Sequence, residues 1–161
     1  MNDEALESKA RMMADRLGIV YELVRHIDSG QHTAQASAAL GELPCHILKC
    51  LILIDDHAGS SSVGAIIRGD TRLNVKVVQQ ATGTGKLRFA SPDEIAFLTG
   101  FRVGGVPPFS LVECDSRLIC TLVLQESYVI GAGGHEHCGA KLRPEELLKI
   151  PDCRVQLISR C

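Results

Sequence analysis

Thr99-Gly100-Phe101-Arg102-Val103-Gly104-Gly105-Val106-Pro107-Pro108-Phe109 sets two adjacent glycines just ahead of two adjacent prolines. Neither pair belongs in a helix interior or a central strand, because glycine costs backbone entropy there and proline lacks an amide donor. The stretch reads as a shaped loop. Glycine lets a backbone approach another group closely, and proline fixes φ, so the remaining peptide groups point in set directions. Such a loop is either an ordinary turn between two elements or a backbone surface for recognition, and its composition leaves both open.

The elements around the loop follow from local signals. Ser91-Pro92-Asp93-Glu94 is a helix start, with Ser91 as cap, Pro92 at the first helical position and Glu94 completing a capping box. Gly100 ends that helix, so the loop begins where the helix stops. Downstream, strands are expected at 118–124 and 128–130, then a bend at Gly131-Ala132-Gly133-Gly134, a helix from Pro144 carrying Leu147 and Leu148, and a short strand at 154–158. Upstream, Ala5, Met12, Met13 and Leu17 recur at helical spacing over 4–17, Gly18 offers a left-handed stop, and a strand is expected at 19–24. Thr33 can cap an alanine-rich helix that Gly41 closes. Residues 47–54 form the most apolar run and read as a buried strand, paired across a polar turn at 55–62 with a second strand at 63–67. Leu73, Val77 and Val78 have partial helical spacing before the break at 81–85. Helices and strands interleave without a βαβ period, which implies a mixed α/β (α+β) fold: a central mixed sheet surrounded by short helices. No linker or repeat divides the chain, so residues 1–161 read as one domain.

Composition narrows the classes of function. The chain has 161 residues, 45% hydrophobic and 22% charged, enough for a real core. No run of about 18 apolar residues occurs, and Met1-Asn2-Asp3-Glu4 is acidic where a signal peptide is basic. The expectation is a cytoplasmic protein with no membrane association. Seven cysteines, an odd number at irregular spacings, read as reduced thiols. A net charge of −2 argues against nucleic-acid binding through a broad cationic face. Arg68, Arg72, Lys76, Lys86, Arg88 and Arg102 fall close together in sequence and form either a modest basic rim or solvated surface charges.

Lys49, inside Cys45-His46-Ile47-Leu48-Lys49-Cys50-Leu51-Ile52-Leu53, is the sharpest single residue. Burying a lysine is costly unless something electron-rich meets the ammonium; the alternative is a side chain that snorkels to water. Cys50, next along the strand, points to the opposite face and reads as packing.

The order of these motifs resembles one family. The alanine-rich helix ending in Leu40-Gly41 before the Ile47-x-Lys49-x-Leu51 strand, Gly69-Asp70 with Leu73-Asn74-Val75-Lys76, Ala90 to Glu94, Thr99 to Phe109, and Gly131 to Gly134 before Leu142-x-Pro144-Glu145-Glu146-Leu147-Leu148 are similar to the YbaK/ProX and prolyl-tRNA synthetase-associated editing domains. The resemblance covers about residues 18–150. It implies a partly barrel-like sheet of that domain type and a free-standing, trans-editing aminoacyl-tRNA deacylase. The implied reaction is hydrolysis of the ester of a mischarged tRNA, with a small amino acid such as Cys or Ala on tRNA-Pro. Lys49, Gly104 and Gly105 would be catalytic, and Thr33, Val106, Pro107, Pro108, Gly131, His135 and His137 would bind substrate. No cofactor or metal is implied. The partners would be the aminoacyl-tRNA acceptor end and prolyl-tRNA synthetase. The chain departs from some relatives at the bend, with glycine where they carry serine and Cys138 near a position acidic in some of them, so amino-acid specificity does not carry over. A catalytically inactive module of the same fold, binding tRNA ends or a protein, is the alternative.

Three competing patterns are weaker. His135-x-His137-Cys138 offers zinc-ligand types at poor spacing. Cys138 or Cys45 beside His137 or His46 could form a thiol nucleophile, but sequence adjacency does not set the geometry such a pair requires. Gly83-Thr84-Gly85-Lys86 fails as a phosphate loop, with Gln80 five before Gly85 and Leu87 after the lysine.

Overall fold

The computed structural model describes residues 1–57 and 60–161. Asn2 accepts a hydrogen bond from the Ala5 amide at 2.8 Å and opens α1 (Asp3–Leu17), which Gly18 closes at φ 72°. The helix buries Leu6, Ala10 and Ala14, whereas Met12 is exposed. Met13 and Leu17 of the expected apolar face pack against the core, and Met12 does not. Alanine at two of the three contact positions lets the helix lie close to the core. β1 (Glu22–Arg25) starts later than expected. α2 (Thr33–Leu40) has His32 at its N-cap, so Thr33 is the first helical residue rather than the cap.

A 3₁₀ turn at Pro44–His46 leads into β2 (Leu48–Asp55), which pairs along its whole length with β3 (Ser61–Arg68), as the hairpin reading requires. Ala58 and Gly59 of the expected polar turn lie outside the described residues. β4 (Arg72–Leu73), α3 (Val75–Thr82) and β5 (Leu87–Phe89) follow. α4 (Pro92–Thr99) has the capping box in full: the Ser91 hydroxyl accepts from the Glu94 amide at 3.2 Å, and the Glu94 carboxylate accepts from the Ser91 amide at 2.9 Å.

The strand expected at 118–124 is split. β6 (Ser116–Cys120) stops at Cys120, and Thr121–Gln125 turns as a 3₁₀ segment that drives Val123 into the core. β7 (Val129–Ala132) takes up the first half of the glycine-rich bend, and β8 (Cys138–Leu142) is a strand the sequence pattern did not announce. The expected last helix is a 3₁₀ segment at Pro144–Lys149 that buries Leu147 and leaves Leu148 exposed. β9 (Cys153–Gln156) and β10 (Ser159–Arg160) end the order.

Five strands form a mixed sheet in the order β5-β2-β3-β6-β9, with β3, β6 and β9 parallel. β1, β8 and β7 form an antiparallel sheet, and a parallel bridge between Ile47 and Ile130 joins it to the lead-in of β2. The core between these layers is built on Phe101, Phe109, Leu53, Ile66, Leu111 and Ile119, all fully buried. Phe101 and Phe109 are the two ends of the glycine-proline loop. Burial of an aromatic side chain at each end, worth about 1.5–3 kcal/mol apiece, fixes the loop to the core.

Candidate active site

Between the edge of β2, the start of α2, β7 and the loop lies a cavity of about 460 Å³. It arises because β5 pairs only with residues 53–55 of β2, which leaves the first half of β2 without a neighbour on that side. Lys49, Thr33, Gly104, Val106 and Gly131 all line it. Five residues singled out in the sequence, from four separate segments, therefore meet in one place.

Lys49 is half-buried, and its ammonium donates to the Thr71 carbonyl at 2.8 Å. An ammonium has three donors, so two stay available to a ligand. Thr71 is positioned in turn by its hydroxyl, which donates to the Arg68 carbonyl at 2.8 Å. Thr33 packs over Gly69, where an added Cβ would come 2.6 Å from the threonine methyl. This close approach accounts for a glycine at that position.

The loop divides its amides. Gly105 donates to the Arg102 carbonyl at 2.9 Å, so its N–H is committed to the turn. The amides of Gly104 and Val106 have no backbone partner among the described residues. Gly104 has φ 90°, a conformation side chains rarely adopt, and Gly105 lies against the backbone of Gly134 and His135. Pro107 and Pro108 are buried outside the lining; Pro108 packs on Gly131, where a Cβ would come within 2.7 Å of the proline ring. The prolines hold the wall and do not face the cavity.

The two histidines of the bend do not line the cavity. His135 is buried and its Nε2 lies 2.7 Å from the Glu7 carboxylate, which Arg25 also grips. Arg25, then His135, hold the Glu7 carboxyl below its ordinary value against the opposing effect of burial. His137 is half-buried beside Glu136, its Nε2 3.5 Å from that carboxylate. The pairing of His135 with a residue 128 positions away could not be seen from its neighbours. The lining also includes titratable residues that were not singled out in the sequence, among them His26 and Glu136. The Nδ1 of His26 lies 2.6 Å from the Asp28 carbonyl, which can only accept, so that nitrogen carries the proton. Ser29 donates to Glu136 at 3.0 Å.

Burial pushes the Cys50 and Cys114 thiols up to about 12, and those of Cys138 and Cys153 to about 11. None of these four supplies a thiolate near neutral pH. Glu7, His135 and Cys138 gather their ligand atoms within 4.8 Å of one another, as do Cys45, His46 and Glu126. In the first group both carboxylate oxygens already accept from Arg25. Of the expected basic rim, Arg68 is paired with Asp70 and Glu126, Arg88 with Asp56 and Glu94, and Arg102 lies 3.7 Å from Asp3.

The mixed sheet with its short helices thus holds a cavity walled by a backbone loop opposite one lysine. The same architecture occurs in a crystal structure described as a candidate trans-editing enzyme for prolyl tRNA synthetase: TM-score 0.82 and 24% identity over 100% of this chain and 99% of that one. Residues 28–150 match the model of the aminoacyl-tRNA editing domain, and the chain belongs to that family. It is 34% identical over 108 residues to a proline--tRNA ligase of Solidesulfovibrio magneticus, a match that covers 64% of this chain and 18% of the ligase. A protein of Enterococcus faecalis described as a candidate Cys-tRNA(Pro)/Cys-tRNA(Cys) deacylase, EbsC, is 24% identical over 146 residues, 89% of this chain and 88% of its own. No helix among the described residues is long and apolar enough to cross a membrane.

Proposed function

We propose that this domain is a trans-acting aminoacyl-tRNA deacylase that removes a small, wrongly attached amino acid, such as Cys or Ala, from tRNA-Pro. The observation that carries the reading is the meeting of Lys49 with the Gly104 and Val106 amides around one cavity. A volume of about 460 Å³ lies within the range of small-ligand sites. The similarity to the ligase and to the deacylase-like protein supports the choice of tRNA and amino acid.

In this mechanism water attacks the carbonyl carbon of the aminoacyl ester. The carbonyl oxygen gains negative charge, and the intermediate collapses by breaking the bond to the ribose oxygen, which leaves as a hydroxyl. Lys49 offers a cation to the developing oxyanion or to the terminal phosphate. The loop amides hold the aminoacyl end, and a loop carbonyl with the neighbouring ribose hydroxyl orients the water. A fixed donor aimed at such an oxyanion is worth about a hundred- to a thousandfold in kcat. The pocket selects by size because a synthetase cannot strongly reject a smaller side chain from an apolar site, so a second site removes what fits it.

The test is deacylation of Ala-, Cys- and Ser-tRNA-Pro by the wild type and by Lys49→Ala. Hydrolysis of at least one substrate, reduced about a hundredfold or more in the variant, supports the proposal. A fully active Lys49→Ala removes the site assignment. No turnover with tRNA binding retained turns the reading to an inactive binding module.

A further inference from the structure

Several cations without an acidic partner lie on the segments next to the Lys49 anchor. Residues 71–90 and 153–161 contain six Lys or Arg and no Asp or Glu, in a chain of net charge −2. The fold brings these segments together. β4 pairs with β10, the Asn74 amide donates to the Ile158 carbonyl at 2.8 Å, and the Arg154 guanidinium donates to the Ala81 carbonyl at the end of α3. Arg88 is neutralised by Asp56 and Glu94. Among the described residues Arg72, Lys76, Arg154 and Arg160 are exposed and in no ion pair.

The pairing of β4 with β10 sets Arg72 directly opposite Arg160. Residues opposite one another in an antiparallel pair project from the same face, and like charges there are destabilising. Arg25 is neutralised on Glu7, Arg68 on Asp70 and Glu126, and Arg88 on Asp56 and Glu94, whereas Arg72 and Arg160 face each other with no carboxylate between them. An unneutralised arginine pair calls for an external anion. The position indicates which one. Thr71, whose carbonyl accepts from Lys49, immediately precedes Arg72, so the cationic face starts one residue from the group that would meet the tRNA end. From there α3 runs between Lys76 in its first turn and Arg154 at its last carbonyls. Its eight residues span about 12 Å. That is the rise of about three to four successive phosphates on one nucleic-acid strand.

We propose that Arg72, Arg160, Lys76 and Arg154 form a phosphate track for the acceptor-stem backbone of the tRNA, continuous with the cavity. This rests on reading the domain as an aminoacyl-tRNA deacylase. The track positions the duplex without reading its sequence, as phosphate contacts do. A few local contacts of this kind are compatible with a near-neutral chain, where a broad cationic face is not.

The experiment measures Kd against salt for an RNA minihelix ending in single-stranded CCA, with the wild type, Arg72→Ala/Arg160→Ala and Arg72→Lys/Arg160→Lys. The alanine pair relieves a repulsion and should fold as the wild type does, which its melting temperature checks. The slope of log Kd against log salt should fall by about 2 in the alanine pair, and the lysine pair should retain it. In parallel, the alanine pair should raise KM for an aminoacylated minihelix and leave hydrolysis of an aminoacylated trinucleotide unchanged. An unchanged salt slope, or binding to anionic lipid vesicles without binding to RNA, overturns the track. The two readings fail separately. A wild type that hydrolyses neither substrate yet loses salt slope on Arg→Ala keeps the track and loses the deacylase, and equal turnover of both substrates by the alanine pair does the reverse.

Discussion

Gly105→Ala is the most direct test of the loop as a rigid wall. An added Cβ would lie 2.6 Å from the Gly134 carbonyl oxygen, 2.7 Å from the His135 Cα and 2.9 Å from the Gly134 carbonyl carbon. All three are backbone atoms, so no side chain can swing aside. Ordinary contact begins near 3.4 Å, and the two segments must separate by about 0.8 Å. Neither moves freely, since the bend is held to α1 through His135 and Glu7, and the loop is anchored by Phe101 and Phe109. Overpacking of this kind costs about 1–3 kcal/mol. For a chain of this length that lowers Tm by about 2–12 °C. A displacement near 1 Å at a catalytic wall costs about a hundredfold in rate, so deacylation should fall more than stability explains. Thermal unfolding followed by fluorescence, and turnover measured well below the variant's Tm, separate the two effects. An unchanged Tm would refute the packing argument. A lowered Tm with full turnover would refute the role of the loop in the site.

Four further outcomes follow from other parts of the molecule. Tyr21→Phe should leave stability unchanged or raise it by up to about 1 kcal/mol in denaturant melts, because the Tyr21 hydroxyl is buried without a hydrogen-bond partner. Ser91→Ala should cost about 1 kcal/mol through the lost cap of α4 and leave turnover intact, with a drop beyond about 2 kcal/mol speaking against a purely local role. Glu7 has a folded-state pKa below its ordinary 4.5, set first by Arg25, so its contribution is present above pH 4.5 and is lost as pH falls through the folded value. The stability gap between wild type and Glu7→Gln should therefore be widest near neutrality and close in acid, and a gap independent of pH would contradict the assignment. Iodoacetamide should leave deacylation unaffected at neutral pH, since the proposed site uses no thiol and burial holds the candidate Cys138 at about 11; rapid inactivation would reopen the thiol mechanism.

What was legible in the sequence was local. The Ser91 to Glu94 box and the glycines at 18, 41 and 100 ended or began helices where their chemistry requires it, and the apolar run at 47–54 paired with its neighbour as a hairpin. β8 was not legible because Cys138-Gly139-Ala140-Lys141-Leu142 lacks the β-branched and aromatic residues that mark strands, and its partners lie in β1 and β7. The 3₁₀ segment at 121–125 was hidden because Thr-Leu-Val-Leu reads as β on propensity, and only tertiary packing bends it. At the site, Lys49 and Gly104 carried local signals and came together. His135 was misleading because its position in a glycine-rich bend suggested a ligand role, while its partner sits on α1. The Gly105 N–H is committed to its own turn, which leaves only its carbonyl for the expected catalytic part.

The contact of Gly105 with Gly134 joins main chain to main chain, and the neighbouring wall is filled by Val106 and Ile95 side chains. Frame and filling are thus separate parts of the cavity. On the proposed function, a methylene gained or lost at Val106 or Ile95 would change the size of the amino acid admitted without moving the amides proposed to hold its carbonyl end. If the proposed reaction holds, a lineage built on this wall would alter its preference by single substitutions, and divergence in specificity would leave the glycines and prolines as they are and be recorded in the apolar lining.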